Sequence, residues 1–159
     1  MTTTRRVVTI IGAGGALGAA VAKQLAGEAA TDLMLSDVSA ATLDATVGGL
    51  GAVDGAVDTM LADVSDDEQV QAVVTRAVER FGRLDVLISN AGVLSPNGRI
   101  HNLTTEDWER AFRVNVLGAV NGIRAAVGVM RPQHAGSIIL TASVSGLTAW
   151  SHAAPYCAT

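Results

Sequence analysis

A strand-length run of β-branched residues leads directly into a glycine-rich turn near the amino terminus, and this junction constrains the fold most strongly. Residues 6–11 read RVVTII, which is typical of a strand buried in a parallel sheet. The turn GAGGALG follows at residues 12–18, and the segment beginning there carries Leu17, Val21 and Leu25 at helical spacing. A strand, a glycine turn and a helix in this order predict the first unit of an α/β fold.

The same segment has a second interpretation. Arg5 and Arg6, followed by an apolar stretch and by Ala20-Val21-Ala22, are also typical of a twin-arginine export signal with a cleavage site. Taken alone, the segment leaves this choice open. The motifs farther along the chain favour the strand, because they need it as the first strand of their sheet.

Apolar runs of strand length alternate with helical patterns along the chain. The predicted strands cover residues 6–11, 32–37, 56–62, 84–89 and 137–142. The predicted helices cover residues 16–27, 39–47, 66–81 and about 104–130, and a further helix begins near Tyr156. This alternation predicts one domain over residues 1–159, an α/β doubly wound parallel sheet with the strand order 3-2-1-4-5.

Local patterns predict where two of the helices begin and end. Ser65 and Glu68, three residues apart, form a capping box ahead of the third helix. Thr104 or Thr105 caps the long fourth helix, and Pro132 is expected to follow its end.

Composition and charge narrow the class of partner. Apolar residues make up 49% of the chain and the net charge is only -4, which predicts a globular protein that binds neither nucleic acid nor a membrane. The one cysteine, Cys157, cannot form an internal disulfide and predicts a reducing, cytoplasmic compartment. His101 and His134 have no partners at ligand spacing, so no metal site is expected.

The glycine turn has the properties of a pyrophosphate site. Glycine permits positive φ and close approach of backbone N–H groups, and the following helix contributes positive potential at its N-terminus. Turn formation alone is the other explanation for such a loop, but the position between a strand and a helix favours binding. The candidate cofactor-binding residues of the turn are Gly12, Gly14, Gly15, Ala16, Leu17 and Gly18.

A carboxylate at the end of the second predicted strand indicates which dinucleotide binds. Asp37 lies 19 positions after Gly18, where such folds place the acidic residue that accepts hydrogen bonds from the adenosine ribose. The same charge would repel a 2′-phosphate, and residues 38–40 contain no Arg or Lys to offset it. An ordinary aspartate in a turn remains the other explanation. The pattern predicts NAD as the cofactor, with NADP less favoured.

Further short motifs follow in a fixed order along the rest of the chain. They are Asp63-Val64, Asn90-Ala91-Gly92, Asn115-Val116-Leu117-Gly118, Ser143 and Tyr156. With these motifs, the sequence resembles the short-chain dehydrogenase/reductase family, whose members bind NAD(P) on a Rossmann fold. The resemblance runs from Arg6 to the last residue, and twelve residues separate the last two motif positions, as in the family.

The resemblance implies roles for the residues near the cofactor. Asp63 and Val64 would border the adenine, and Asn90, Ala91 and Gly92 would let the backbone pass close to the cofactor.

The resemblance also implies three catalytic residues. Asn115 would hold a water connected to the active-site lysine, and Ser143 would hydrogen-bond the substrate oxygen. Tyr156 would exchange a proton with that oxygen. The implied activity is hydride transfer between NAD(P) and a secondary alcohol or ketone.

The sequence departs from the family pattern at several positions. The family lysine, four residues after the tyrosine, would be residue 160, and the chain ends at Thr159. We therefore expect this 159-residue chain to be a fragment that is inactive by itself. Ala16 replaces the usual middle glycine of the turn, and Ser89 stands where many relatives have asparagine.

The missing family segments imply exposed surfaces and leave two functions open. The fifth strand should be a sheet edge, and the complete protein is expected to be a homo-oligomer. The first hypothesis is an oxidoreductase, and the second is a non-catalytic NAD-binding or interaction module. Five apolar side chains of the long helix are expected to stay partly exposed: Ala111, Val114, Ala119, Ile123 and Val127.

Overall fold

A computed structural model describes residues 5–159 and contains five strands and six α-helices in that range. The strands are β1 (Arg6–Ile11), β2 (Thr31–Asp37), β3 (Val57–Leu61), β4 (Val86–Ser89) and β5 (Ser137–Leu140). The helices are α1 (Ala16–Ala26), α2 (Ala40–Gly48), α3 (Asp67–Phe81), α4 (Thr105–Phe112), α5 (Gly118–Gln133) and α6 (Ala154–Cys157).

The five strands form one parallel sheet in the order β3-β2-β1-β4-β5. The predicted topology is therefore confirmed. Strand β1 lies at the centre and pairs with β2 on one side and β4 on the other. Arg6–Ile11 is thus a strand, and the neighbouring Arg5 forms ion pairs with Asp32 and Asp54.

Helices cover both faces of the sheet, as expected for a doubly wound fold. On one face, Ile10 and Leu35 pack with residues of α1 and α2, including Ala22 and Leu43. On the other face, Ile11 packs with residues from α3 and α5. Alternate residues of the central strands therefore face opposite helix layers. Because the strands are parallel, their carboxyl ends all lie at one edge of the sheet.

The start of α3 differs from the prediction. Asp66, not Ser65, caps the helix, and its side chain accepts a hydrogen bond from the Gln69 N–H at 3.1 Å. Ser65 instead donates its hydroxyl to Asp63 Oδ1 at 2.7 Å. The predicted capping box of Ser65 and Glu68 is wrong because the turn before the helix already engages the serine.

The long helix is interrupted, and it ends later than predicted. Thr104 caps α4 in a capping box with Asp107, and a π-helical turn at Arg113–Leu117 joins α4 to α5. Helix α5 includes Pro132 and ends at Gln133, so the prediction that the proline lies beyond the helix is wrong. The Gln133 side chain pairs with both backbone groups of Leu84, and these bonds hold the last turn.

Strand β5 and Val127 on α5 are exposed as predicted, whereas Ala111 on α4 is not. Strand β5 pairs only with β4 among residues 5–159, and about half of the Ile139 and Leu140 surface is accessible. Val127 is 44% exposed on α5, as expected. Ala111 is buried, with 1% exposure, because α4 turns this position toward the core.

Candidate functional site

The loops at the carboxyl ends of the five strands carry the polar residues that the sequence singled out. Gly12, Asp63, Asn90 and Ser143 follow β1, β3, β4 and β5, and Asp37 ends β2. Because all five strands are parallel, these residues lie along the same edge of the sheet. In open α/β sheets, ligands bind at this edge where the strand order reverses, which here is between β1 and β4.

A cleft with a volume of about 460 Å³ opens at this edge. Clefts of this size accommodate small ligands and cofactors. The charged residues of its lining are Asp37, Asp63 and Arg110. The other lining residues are Ile11, Gly12, Gly15, Val38, Ser39, Thr42, Ala62, Val64, Asn90, Ala91, Gly92, Val93 and Val114.

Gly12 makes the contact that joins the glycine turn to the loop after β4. Its φ is +85°, and a Cβ there would overlap the backbone of Ala91. Asn90 Nδ2 donates to the Gly12 carbonyl at 2.9 Å, and the Asn90 N–H donates to the Ile11 carbonyl. Only glycine allows both the positive φ and this close approach, so the position determines the shape of the cleft floor.

Asp37 faces the glycine turn and is already hydrogen-bonded on both oxygens. Oδ2 accepts from the Gly14 N–H at 2.8 Å, and Oδ1 accepts from the Ser39 N–H at 3.1 Å. An ionised carboxylate has about four acceptor positions, so each oxygen retains capacity for a further donor. Asp37 can therefore accept hydrogen bonds from a diol in the cleft without losing its bonds to the chain.

The loop of Asp63 and Val64 is held in place from two sides. Asp63 Oδ1 accepts from the N–H and the hydroxyl of Ser65, at 2.9 and 2.7 Å. The buried amide of Asn121 donates to the Val64 carbonyl at 3.1 Å, and a Cβ at Gly118 would lie 2.8 Å from the Val64 methyl groups. Helix α5 thus positions the apolar wall of the cleft.

Asn115 lies in the π-helical turn and connects three segments. Its Oδ1 accepts from the Val93 N–H at 2.8 Å, and its Nδ2 donates to the Val93 carbonyl at 3.0 Å. Nδ2 also donates to the Thr159 hydroxyl at 2.9 Å, and that hydroxyl donates to the Tyr156 carbonyl at 3.0 Å. Both amide hydrogens are engaged, so a water at this side chain would have to donate to Oδ1.

Replacing Asn115 with leucine should lower the free energy of unfolding by about 2–3 kcal/mol, because both backbone groups of Val93 lose their partner. Chemical denaturation followed by tryptophan fluorescence measures this change. Asn102→Leu is the control, since Asn102 is exposed and its side chain forms no hydrogen bond within residues 5–159. Equal stability of the two variants would contradict the role of Asn115.

Ser143 and Tyr156 both lie on the short segments that follow β5. The Ser143 hydroxyl oxygen accepts from the Ser145 N–H at 3.2 Å, which leaves its own hydrogen available to another acceptor. The turn Val144–Gly146 packs against α6, which carries Tyr156. The Tyr156 ring meets Trp150 edge-to-face, with 6.5 Å between the ring centroids.

The structure brings most, but not all, of the predicted cofactor residues to the cleft. Gly14, Ala16, Leu17 and Gly18 lie outside its lining, as do the three predicted catalytic residues. Sequence reasoning missed eight of the lining residues, namely Ile11, Val38, Ser39, Thr42, Ala62, Val93, Arg110 and Val114. The spacing of Arg110 and Val114, one helical turn apart and just before Asn115, was the available signal.

No helix within residues 5–159 is long and apolar enough to cross a membrane. No cluster of three His, Cys, Asp or Glu side chains in the same range has the arrangement of a metal site.

Comparison with known proteins agrees with the geometry. The family described as short chain dehydrogenase matches residues 6–159. Levodione reductase from Leifsonia aquatica is 38% identical over 157 residues, which cover 98% of this chain and 58% of that protein. A crystal structure of levodione reductase superposes with a TM-score of 0.92 at 37% identity, covering 96% of this chain and 60% of the other.

Two other similar structures were solved with a nicotinamide cofactor. NAD+-bound xylitol dehydrogenase is 31% identical, with a TM-score of 0.86 over 98% of this chain and 60% of that one. The F189W actinorhodin polyketide ketoreductase with NADPH is 29% identical, with a TM-score of 0.89 over 99% of this chain and 61% of that one. The present chain therefore spans about three fifths of the length of these proteins. The family match and the shared fold show that this chain belongs to the short-chain dehydrogenase/reductase family.

Proposed function

We propose that the protein transfers a hydride between NAD and a secondary alcohol or ketone. The observation that supports this most directly is the cleft at the strand ends, which is lined by the glycine turn, Asp37 and the Asp63–Val64 loop. A turn rich in N–H groups, a carboxylate and an apolar wall suit a pyrophosphate, a ribose diol and an adenine, respectively.

The shape of the turn supports binding of such a cofactor. Gly15 lines the cleft, and a Cβ at this position would meet no other heavy atom closer than the Gly12 carbonyl oxygen, at 3.8 Å. The absent side chain therefore leaves open space at the N-terminus of α1, where an anionic group is favoured. NAD, when bound, supplies the carbon that accepts or releases the hydride.

The proposed proton chemistry uses Ser143, Tyr156 and Asn115. The free hydrogen of the Ser143 hydroxyl would donate to the substrate oxygen, and the Tyr156 hydroxyl would exchange the proton that accompanies hydride transfer. Asn115, through Thr159, supports the backbone of Tyr156 and so orients the tyrosine.

Asp37 supports NAD over NADP, and its replacement tests this preference. In Asp37→Asn, the ratio of NADPH to NADH affinity should rise about tenfold, because the charge that repels a 2′-phosphate is removed. Fluorescence titration with each reduced cofactor measures the ratio. Asp44→Asn, an exposed position on α2 outside the cleft, is the matched control and should leave the ratio unchanged. No rise in Asp37→Asn would count against the proposed role of this residue.

Titration of the purified protein with NADH tests the proposed function itself. We expect saturable quenching of tryptophan fluorescence and a higher melting temperature as NADH is added. A folded protein that shows neither change would refute the proposal. Oxidation of a secondary alcohol by the 159-residue chain at an ordinary enzyme rate would exclude the non-catalytic NAD-binding module, and it would also contradict the expected inactivity of this chain by itself.

We also propose a cytoplasmic, self-associating protein. The single cysteine, Cys157, is a free thiol, which suits a reducing compartment. Val120 and Val127 of α5 are 41% and 44% exposed and are apolar, as in surfaces that join copies of a chain. Sedimentation equilibrium of the purified protein would measure the association.

A further inference from the structure

Arg110 is the one cation among the residues that line the cleft. It lies on α4, one helical turn before Val114, and both residues line the same wall. Val114 packs against the buried cluster that contains Val64, so this wall continues the apolar side of the cleft. The glycine turn, where an anionic group would bind, lies on another segment of the chain, between β1 and α1.

The Arg110 guanidinium is not engaged elsewhere in the described part of the chain. Within residues 5–159 it forms no ion pair, whereas Arg113, three residues later, pairs with Glu109 at 3.4 Å. Arg110 is exposed, and it forms no ion pair with Asp63, which lines the same cleft. The side chain is therefore available to a ligand bound between Val64 and Val114.

We infer that Arg110 stacks its guanidinium on the adenine base of the bound dinucleotide and closes that end of the cleft. The inference rests on the proposed function and names a residue that determines cofactor affinity. A guanidinium is planar and weakly hydrated, so it packs on an aromatic face while its edge stays in water. Val64 and Val114 supply apolar contacts for the base, and Arg110 supplies the polar cover on the solvent side.

Binding of NADH and of adenosine to two arginine variants tests the inference. Adenosine carries the base and no phosphate. Its affinity is measured by competition with bound NADH, whose release is followed by fluorescence. In Arg110→Met both affinities should fall by about fivefold at physiological salt, as expected for loss of one cation–π contact. Arg113→Met, which removes the same charge from a residue outside the cleft lining, is the matched control and should bind both ligands as the unaltered protein does.

The other outcomes separate this inference from the proposed function. If only NADH binding weakens in Arg110→Met, and the loss disappears at high salt, Arg110 acts through its charge on the phosphates and the stacking contact is refuted. If neither ligand is affected while the unaltered protein binds NADH, the inference fails and the proposed function stands. If the unaltered protein binds no NADH, both fail.

Discussion

Replacing Gly12 with alanine should lower the free energy of unfolding by about 3–4 kcal/mol. The added Cβ would overlap the Ala91 amide and lie 2.9 Å from the Asn90 carbonyl carbon, and these atoms are backbone that cannot rotate away. Alanine at a φ of +85° adds a conformational cost of its own. Chemical denaturation monitored by the fluorescence of the two tryptophans measures the loss.

Gly15→Ala is the matched control within the same turn. Its φ is −74°, and its new methyl group would enter open space, so we expect a stability change of about 1 kcal/mol or less. Because Gly15 lines the cleft, the same methyl group should weaken NADH binding by about tenfold or more. Equal stability of the Gly12 and Gly15 variants would contradict the structural role of Gly12.

In a form of the enzyme that also carries the family's active-site lysine, replacing Tyr156 with phenylalanine should lower kcat for oxidation of secondary alcohols by about 10²–10⁴-fold, the usual contribution of a positioned acid–base group. The ring and its edge-to-face contact with Trp150 remain, so the dissociation constant of NADH should stay within about twofold. The formation of NADH from NAD in the presence of a panel of secondary alcohols measures the rate.

Cys157→Ser is the control for Tyr156, because it changes the next residue of the same short helix. The Cys157 thiol bonds to the Trp150 backbone, a contact that a serine hydroxyl can replace, so kcat should change by less than about twofold. A Tyr156→Phe variant that keeps its full kcat would exclude the tyrosine as the proton-transfer group. If Tyr156→Phe loses NADH binding together with kcat, the tyrosine has a structural role instead.

The strands were predictable because the sequence pattern that marks each of them is local. The β-branched run before Gly12 and the aspartate that ends β2 follow from side-chain periodicity and turn chemistry within a few residues. Right-handed crossovers between consecutive parallel strands then allow few arrangements of the sheet. The predicted boundaries differ from the observed ones by one or two residues at most strands, since a strand ends where its backbone pairing with a neighbouring strand ends.

The errors arose where distant contacts compete with local propensity. Ser65 and Asp66 are both acceptable helix caps, and the hydrogen bond from Ser65 to Asp63 decides between them. Pro132 removes a backbone donor, yet the bonds between Gln133 and Leu84 keep the last turn of α5 helical. The π-helical turn was not predictable because its stabilising bonds from Asn115 reach Val93 and Thr159.

By itself, the sequence determined that parallel strands end in a glycine turn and in acidic and amide residues, because strand period and glycine conformation act over short distances. Only the tertiary structure decided that Arg110 and Val114, some 50 residues beyond the Asp63 loop, line the same cleft as that loop. The physical reason is that a cleft is formed by packing of helices on the sheet, and no local preference specifies which helix face will meet which loop.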